Sequence, residues 1–365
     1  MSANDGRHST RSSLTKAPAQ SANQERSAWK EARLLVPGSV LSGLVAAGGV
    51  LTAPYVEFVV ANPAMVIALV LGIALNSLAQ RPIFQPGITF CVKRVLRWSV
   101  ALLGLRIAFV DIVSLGVDTA LLVVGAMIVT LGACFLLAGI FGQHKAYGAL
   151  TGAATAVCGA SAALATSSVL PKYETKDRDV AFVVVMANAL ATLAMLLYPI
   201  LCAWMDLGPE AMGILLGGSI HDVAQVVGAG YAVSETVGNT AVIVKLFRVF
   251  LLLPIVLTIA WWFNQRSAVG AEVQPVPAFA IVFLALCVLN STIGWIPGLV
   301  PAYESIRLVL IDVSTWGLLL AIAALGLGTS VSQMLAVRWH HVGTMVIAST
   351  VIFAVTAGGL FIIGS

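Results

Sequence analysis

Gly217-Gly218-Ser219-Ile220-His221-Asp222-Val223-Ala224-Gln225, followed by Gly228 and Gly230, lies inside the apolar run 210–232. The reading of this stretch decides the fold. A run of this length can span a lipid bilayer as a helix, yet its centre carries a glycine pair, an imidazole, a carboxylate and an amide. The glycines loosen the helix, and Ser219 can satisfy backbone groups that the loosening frees. His221 can donate, accept or carry a proton, and Asp222 can bind a proton or a cation. Ionisable groups at mid-span are costly, so they mark function more often than a polar tie between two helices.

The rest of the chain fits that setting. Hydrophobic residues make up 59% of 365 positions and charged residues 10%, against about 45–50% and about 25% in soluble domains. The mean hydropathy of +0.98 agrees, and lipid is the solvent that this composition requires. About eleven spans are expected, centred on 35–52, 62–79, 96–115, 118–140, 146–170, 179–203, 210–232, 239–263, 276–294, 305–335 and 341–364. Trp98, Trp204, Trp261, Trp262, Trp295 and Trp339 fall near their ends, as aromatic belts do. Residues 1–33 read as a disordered cytoplasmic tail without a signal peptide, and 34–365 as the transmembrane domain.

Orientation follows Lys and Arg in short loops. Arg81, Lys93, Arg94 and Arg97 follow the second span, and Lys145, Arg266 and Arg338 fall on the same side. The segment 171–179, with Lys172, Lys176 and Arg178, is the exception on the opposite side. The tally places the N-terminus in the cytoplasm and the C-terminus outside. The net charge of +4 reports this bias and no nucleic-acid surface. Cys91, Cys134, Cys158, Cys202 and Cys287 form no CxxC pair, so neither a disulfide framework nor a zinc site is implied. No P-loop, HExxH or CxxCH occurs, which removes ATP-driven pumps, metalloproteases and c-type cytochromes.

Two further groups carry chemistry. Cys158-Gly159-Ala160-Ser161-Ala162 lies in a span rich in Ala, Gly and Thr. A helix broken at Gly159 exposes N–H groups that attract anions, whereas an unbroken one is a small-residue packing seam. Arg106, Lys245 and Arg248 are cations within spans, and Asp312 has only Arg307 and Thr315 near it in sequence. Each can line an anion path, pair with an acid or reach an interface. Asn188 and Asn290 read as hydrogen-bonding ties between helices. Ala156-Val157-Cys158-Gly159-Ala160-Ser161 echoes Gly326-Leu327-Gly328-Thr329-Ser330 five spans later, the spacing of an inverted repeat. A rival register pairs Leu103-Gly104-Leu105 with Leu325-Gly326-Leu327.

The segments Cys158–Ala162, Ser219–Gly230 and Leu102–Arg106 resemble a bacterial membrane family named for sulfate export, and the resemblance runs from about residue 35 to the end. It implies a place in the bacterial inner membrane and kinship with bile-acid symporters and cation–proton antiporters. The implied fold is all-α: inverted five-helix repeats plus one extra N-terminal helix. Two discontinuous helices would cross near the midplane, with core and panel subdomains interleaved in sequence. A panel that also serves dimerisation leaves room for a homodimer.

The expected function is export of a small anion such as sulfate, sulfite or an organosulfonate by alternating access, without enzyme chemistry. Arg106, Cys158, Gly159, Ala160, Ser161, Ser219, His221 and Gln225 are the expected substrate contacts. His221, Asp222 and Gln225 are the expected ion-coupling groups, for a proton or sodium. Lys245, Arg248 and Asp312 are secondary candidates. No other cofactor and no metal is expected, and the partners are the anion and the bilayer. Two alternatives come from other classes: an intramembrane hydrolase with Ser161 or Cys158 as nucleophile and His221 as base, and a passive anion channel.

Overall fold

The computed structural model describes residues 17–55, 63–107, 113, 115–263, 278–293, 298, 300–328 and 339–363. Every regular element among them is helical, as lipid demands of a chain whose backbone groups must be satisfied internally. In order they are α1 (Ala17–Thr52), α2 (Pro63–Ala74), α3 (Asn76–Ala79), α4 (Gln85–Phe90), α5 (Leu96–Leu102), α6 (Gly116–Ile140), α7 (Lys145–Ala156), α8 (Ala160–Val169), α9 (Lys176–Trp204), α10 (Pro209–Ser219), α11 (Val223–Val233), α12 (Glu235–Phe250), α13 (Leu252–Trp262), α14 (Ala278–Thr292), α15 (Val300–Gly328) and α16 (Trp339–Ile363). A π-turn, Cys91–Val95, joins α4 to α5, and a 3₁₀ turn, Leu103–Leu105, extends α5. Helix thus covers the second half of the segment expected to be a disordered tail, while residues 1–16 lie outside the described residues. So do Trp295, Arg266, Arg338, Thr329 and Ser330.

The expected count of eleven spans is not met by length and composition. Six described helices are long and apolar enough to cross a membrane: Arg33–Tyr55, Gly116–Ile140, Lys176–Trp204, Glu235–Trp262, Val300–Gly328 and Val342–Ile363. The remaining apolar pieces are shorter, because the chain interrupts them. Pro254 ends α12 at Phe250, since it has no N–H for the carbonyl four residues back. Gly159, at φ +57°, ψ −120°, separates α7 from α8, a conformation that a residue with a Cβ resists.

Two of the interruptions reverse the chain. The His144 ring at the start of α7 stacks on Tyr173, just past the end of α8, with centroids 4.8 Å apart. The arms α7 and α8 therefore begin and end at the same end of the bundle. Likewise a Cβ on Gly213 of α10 would meet Thr240 and Val237 of α12, and one on Gly217 would meet Ala241 and Val244. The helix α10 thus runs parallel to α12. Gly230 of α11 touches Gly238 and Ala241, so α11 runs back antiparallel to α12. Both segments are helical hairpins, with tips at Val157-Cys158-Gly159 and Ile220-His221-Asp222. This corrects the expectation of two discontinuous helices that continue through the bundle. At the echo, α15 runs from Val300 and ends at Gly328, and the rest of the echo, Thr329-Ser330, lies outside the described residues.

The hairpins enter from opposite ends. One end, here the Lys145 end, gathers His144 and Tyr173, the Phe135–Trp262 ring contact, and Asn76 Nδ2 donating to Leu327 O at 2.8 Å. The other, the Glu235 end, gathers the Arg106–Glu235 ion pair, Tyr303 Oη donating to Asn290 Oδ1 at 3.0 Å, and Arg307 Nε donating to Leu105 O at 2.9 Å. Because α7 and α8 form a hairpin, Lys172, Lys176 and Arg178 share the Lys145 end. The exception to the charge tally disappears.

Two bodies result. The helices α1 to α5, α14 and α15 form a panel with a core of Val45, Ala46, Ala68, Ile88, Leu319 and Ala323. Gly72 and Gly326 let the backbones of α2 and α15 touch, since a Cβ on either would overlap the other helix's main chain. The helices α6 to α13 and α16 form the second body around both tips. The helix α11 reaches across to α2 and α15 of the panel.

Candidate functional site

The tips meet where α12 supplies two cations one turn apart. Lys245 and Arg248 are both fully buried. Lys245 Nζ donates to Val157 O at 2.6 Å, Ile220 O at 2.9 Å and His221 O at 2.6 Å. Arg248 donates through Nε to Ala156 O at 2.9 Å and through Nη2 to Thr155 O at 2.8 Å. Its Nη1 reaches Gly217 O at 2.9 Å and Ile220 O at 3.1 Å. All these acceptors belong to the last turns of α7 and α10 or to the tips that follow them. A helix leaves its last carbonyls unbonded and carries about half a negative charge there. The two cations satisfy both carbonyl ends at once. Sequence reasoning ranked them as secondary; their spacing at i, i+3 inside an apolar helix was the available signal.

The opposite polarity stays open. The returning arms α8 and α11 begin at the tips, so their first-turn N–H groups have no acceptor within the helix. Ala160, Ser161, Asp222 and Val223 are partly exposed, while Val157 and Ile220 are fully buried. A Cβ placed on Gly159 would lie 3.6 Å from His221 O. Two positive helix ends, backed by two buried cations, therefore converge on one accessible spot, and such ends attract anions.

The polar side chains around it are arranged on α9, α11 and α16. His221 is 1% exposed, and its Nε2 lies 2.7 Å from Ser349 Oγ. Ser349 Oγ also lies 2.8 Å from Met345 O, and the direction of the Nε2–Oγ bond follows the ring tautomer. Nδ1 has no partner among the described residues. Gln225 Nε2 donates to Asn188 Oδ1 at 3.1 Å and Thr192 Oγ1 at 3.3 Å, leaving Oε1 buried and unpaired. Asp222 and Gln225 have the spacing of a capping box; Asp222 makes no well-aligned cap to α11, but its carboxylate lies against the Val223 and Ala224 N–H groups. The sequence reading had not singled out Ser349 or Thr192 and had read Asn188 as a tie.

The other expected contacts fall elsewhere or turn inward. Ser219 Oγ bonds its own helix at Leu215 O, 2.5 Å away, and is fully buried. Cys158 is buried in the tip. Arg106 is not at the tips: Nη1 pairs with Glu235 at 3.0 Å and Nη2 donates to Thr315 Oγ1 at 2.7 Å. Glu235 precedes Lys245 by ten residues of α12, about 15 Å at the helical rise. Asp312 lies on an exposed part of α15 and is in neither ion pair found among the described residues, Arg106–Glu235 or Arg307–Glu304. At the base of the first hairpin, burial and then the Asp179 charge push the Tyr173 phenol upward. Among the described residues no group of three His, Cys, Asp or Glu side chains could hold a metal ion.

The chain is 41% identical over 334 residues to UPF0324 membrane protein TauZ of Paracoccus pantotrophus, covering 90% of this chain and 95% of that protein. It is 42% identical over 301 residues to UPF0324 membrane protein CT0845 of Chlorobaculum tepidum, covering 81% and 82%. It is also 33% identical over 322 residues to UPF0324 inner membrane protein YeiH of Escherichia coli, covering 85% and 88%. No solved structure matches. Residues 37–345 match the family described as Conserved hypothetical protein 698, and with relatives this similar over nearly their whole length the chain belongs to that family of bacterial membrane proteins.

Proposed function

We propose that the protein is a secondary active transporter, and no enzyme, that moves a small oxyanion such as sulfate, sulfite or an organosulfonate across the bacterial inner membrane. One observation carries this reading: two hairpin tips meet with their carbonyl ends saturated by Lys245 and Arg248, which leaves paired N–H ends for a guest. An anion at mid-membrane requires fixed positive ends and pre-set donors. The N–H groups of Ala160, Ser161 and Ala162 on one arm and of Val223, Ala224 and Gln225 on the other supply them. Asp222 and Gln225 Oε1, beside that pocket, take the coupling proton or sodium ion.

In this reading α1, α2, α4–α5, α6, α9, α12–α13, α14, α15 and α16 each cross once, and the hairpins α7–α8 and α10–α11 are re-entrant. Irregular backbone at membrane depth is tolerated where it lies within protein or lines a cavity. The basic Lys145 end is cytoplasmic, and Asp118, Asp206, Glu210 and Glu304 lie towards the outside. The tips enter from opposite faces, as an inverted repeat requires. Alternating access is then a movement of the tip-bearing body against the panel. The hydrolase alternative draws less support, since His221 Nε2 lies against Ser349 rather than Ser161.

Reconstitution into liposomes tests the proposal. Sulfate, sulfite, thiosulfate, short sulfonates and carboxylates are offered under imposed pH or sodium gradients. Saturable, gradient-driven uptake with counterflow is expected. Flux of none of them removes the anion assignment, non-saturating flux without counterflow makes the protein a channel, and turnover that vanishes with Ser161→Ala favours the hydrolase.

A further inference from the structure

The sequence places Arg97 with Arg81, Lys93 and Arg94 as a loop charge. The structure places it inside α5, just past the π-turn Cys91–Val95. Its depth follows from its neighbours. Ser99 O accepts from Ser314 Oγ at 2.7 Å, and a Cβ on Gly317 would strike Ser99. Ser314 and Gly317 lie at the middle of α15 (Val300–Gly328), so Arg97 sits near mid-depth of the panel.

Two properties make that position unusual. Arg97 is exposed, and it is in neither ion pair found among the described residues. A guanidinium at mid-depth of a bilayer is costly against lipid and belongs against water or another polar group. Asp222, at the second tip, lies within electrostatic range of Arg97, and α11, which Asp222 begins, is the element that meets the panel at α15 and α2. Trp98, the next residue, is 57% exposed and turns away on the helix, as a lipid-facing indole would.

We propose that Arg97 lines a water-filled crevice between the panel and the hairpin tips and gives its guanidinium to the oxyanion there, opposite the helix N-termini. This deepens the transporter reading and rests on it. The planar fork suits a sulfonate, sulfate or carboxylate, which it can grip through two oxygens. Since Arg97 belongs to the panel and the N–H groups to the other body, the guest is held across the surface on which the two would slide.

Cysteine accessibility tests the crevice independently of transport. All five native cysteines are buried, so Arg97→Cys and, as a control, Trp98→Cys can be labelled in membranes against a low background. A charged, membrane-impermeant methanethiosulfonate is expected to modify Arg97→Cys and not Trp98→Cys, with sulfate, sulfite or a short sulfonate slowing the reaction. In detergent, the same anions should raise the unfolding temperature of the wild type, and Arg97→Gln should weaken that binding about ten- to a hundredfold. Labelling of Arg97→Cys only by a lipid-soluble maleimide overturns the crevice. Labelling that no anion slows, with wild-type affinity in Arg97→Gln, overturns the anion contact. If the crevice labels but the wild type binds none of the anions, the anion transporter reading fails and takes the contact with it.

Discussion

Replacing Lys245 by Met should loosen both hairpin tips at once. Lys245 is fully buried and donates to three carbonyls. Met keeps the length and loses every donor. Ile220 O retains Arg248 Nη1 at 3.1 Å, but Val157 O and His221 O lose the donor they share. A buried acceptor left unpaired costs about 1–3 kcal/mol, so two cost about 2–6 kcal/mol. That is a large part of the roughly 5–15 kcal/mol by which folded proteins are stable. The assay is thermal unfolding of the purified protein in detergent, followed by tryptophan fluorescence. At about 2–4 °C per kcal/mol, Lys245→Met should unfold at least about 4 °C below wild type. Arg248→Met should do likewise, and the double variant should lose more than the two losses added, because Ile220 O keeps one donor in each single variant and none in the double. Lys245→Met should also abolish anion-induced stabilisation, since the tip loses its fixed positive charge. A Lys245→Met protein that unfolds within about 1 °C of wild type and still binds the anion refutes the argument that these cations set the tips.

Further outcomes follow from the same geometry. Gly159→Ala forces a Cβ into a φ of +57°, although its steric contacts would be ordinary at 3.6 Å; a cost of about 1–3 kcal/mol and loss of anion binding are expected by thermal shift, and unchanged binding would exclude the Gly159 turn from the site. Ser349→Ala removes the partner of His221 Nε2 and leaves both ring nitrogens buried and unpaired, so stability should fall by about 1–3 kcal/mol; an unchanged transition would mean water replaces the hydroxyl. Arg106→Gln should change stability by no more than about 1 kcal/mol, because its partner Glu235 is 63% exposed. It should spare anion binding while altering transport rate, and a lost binding signal would return Arg106 to the site.

Much of the site was legible because it rests on rare residues in an apolar background. His221, Asp222 and Gln225 were visible as polar groups within 210–232, and Gly159 as a breaking point in a small-residue run. What could not be read was the direction of the chain after each break. An apolar stretch with a glycine in the middle has the same composition whether it continues across the bilayer or turns back. The positive charges at Lys172, Lys176 and Arg178 hold the correction, which a tally over single crossings reads as an exception. Arg106 was legible as a buried cation yet not as a link between two bodies, because its partners Glu235 and Thr315 are distant in sequence.

The sequence alone determined the solvent and the class of structure: 59% apolar residues and few charges require lipid, and lipid requires helices that satisfy their own backbone. It also determined where those helices break, since glycine conformation and proline's missing N–H are local properties. Only the tertiary structure decided that the breaks are hairpin tips, that they meet, and that Lys245 and Arg248 close their carbonyl ends. Those facts depend on which helix each broken end faces, and a carbonyl freed in one segment can be satisfied only by a donor that folding brings from another.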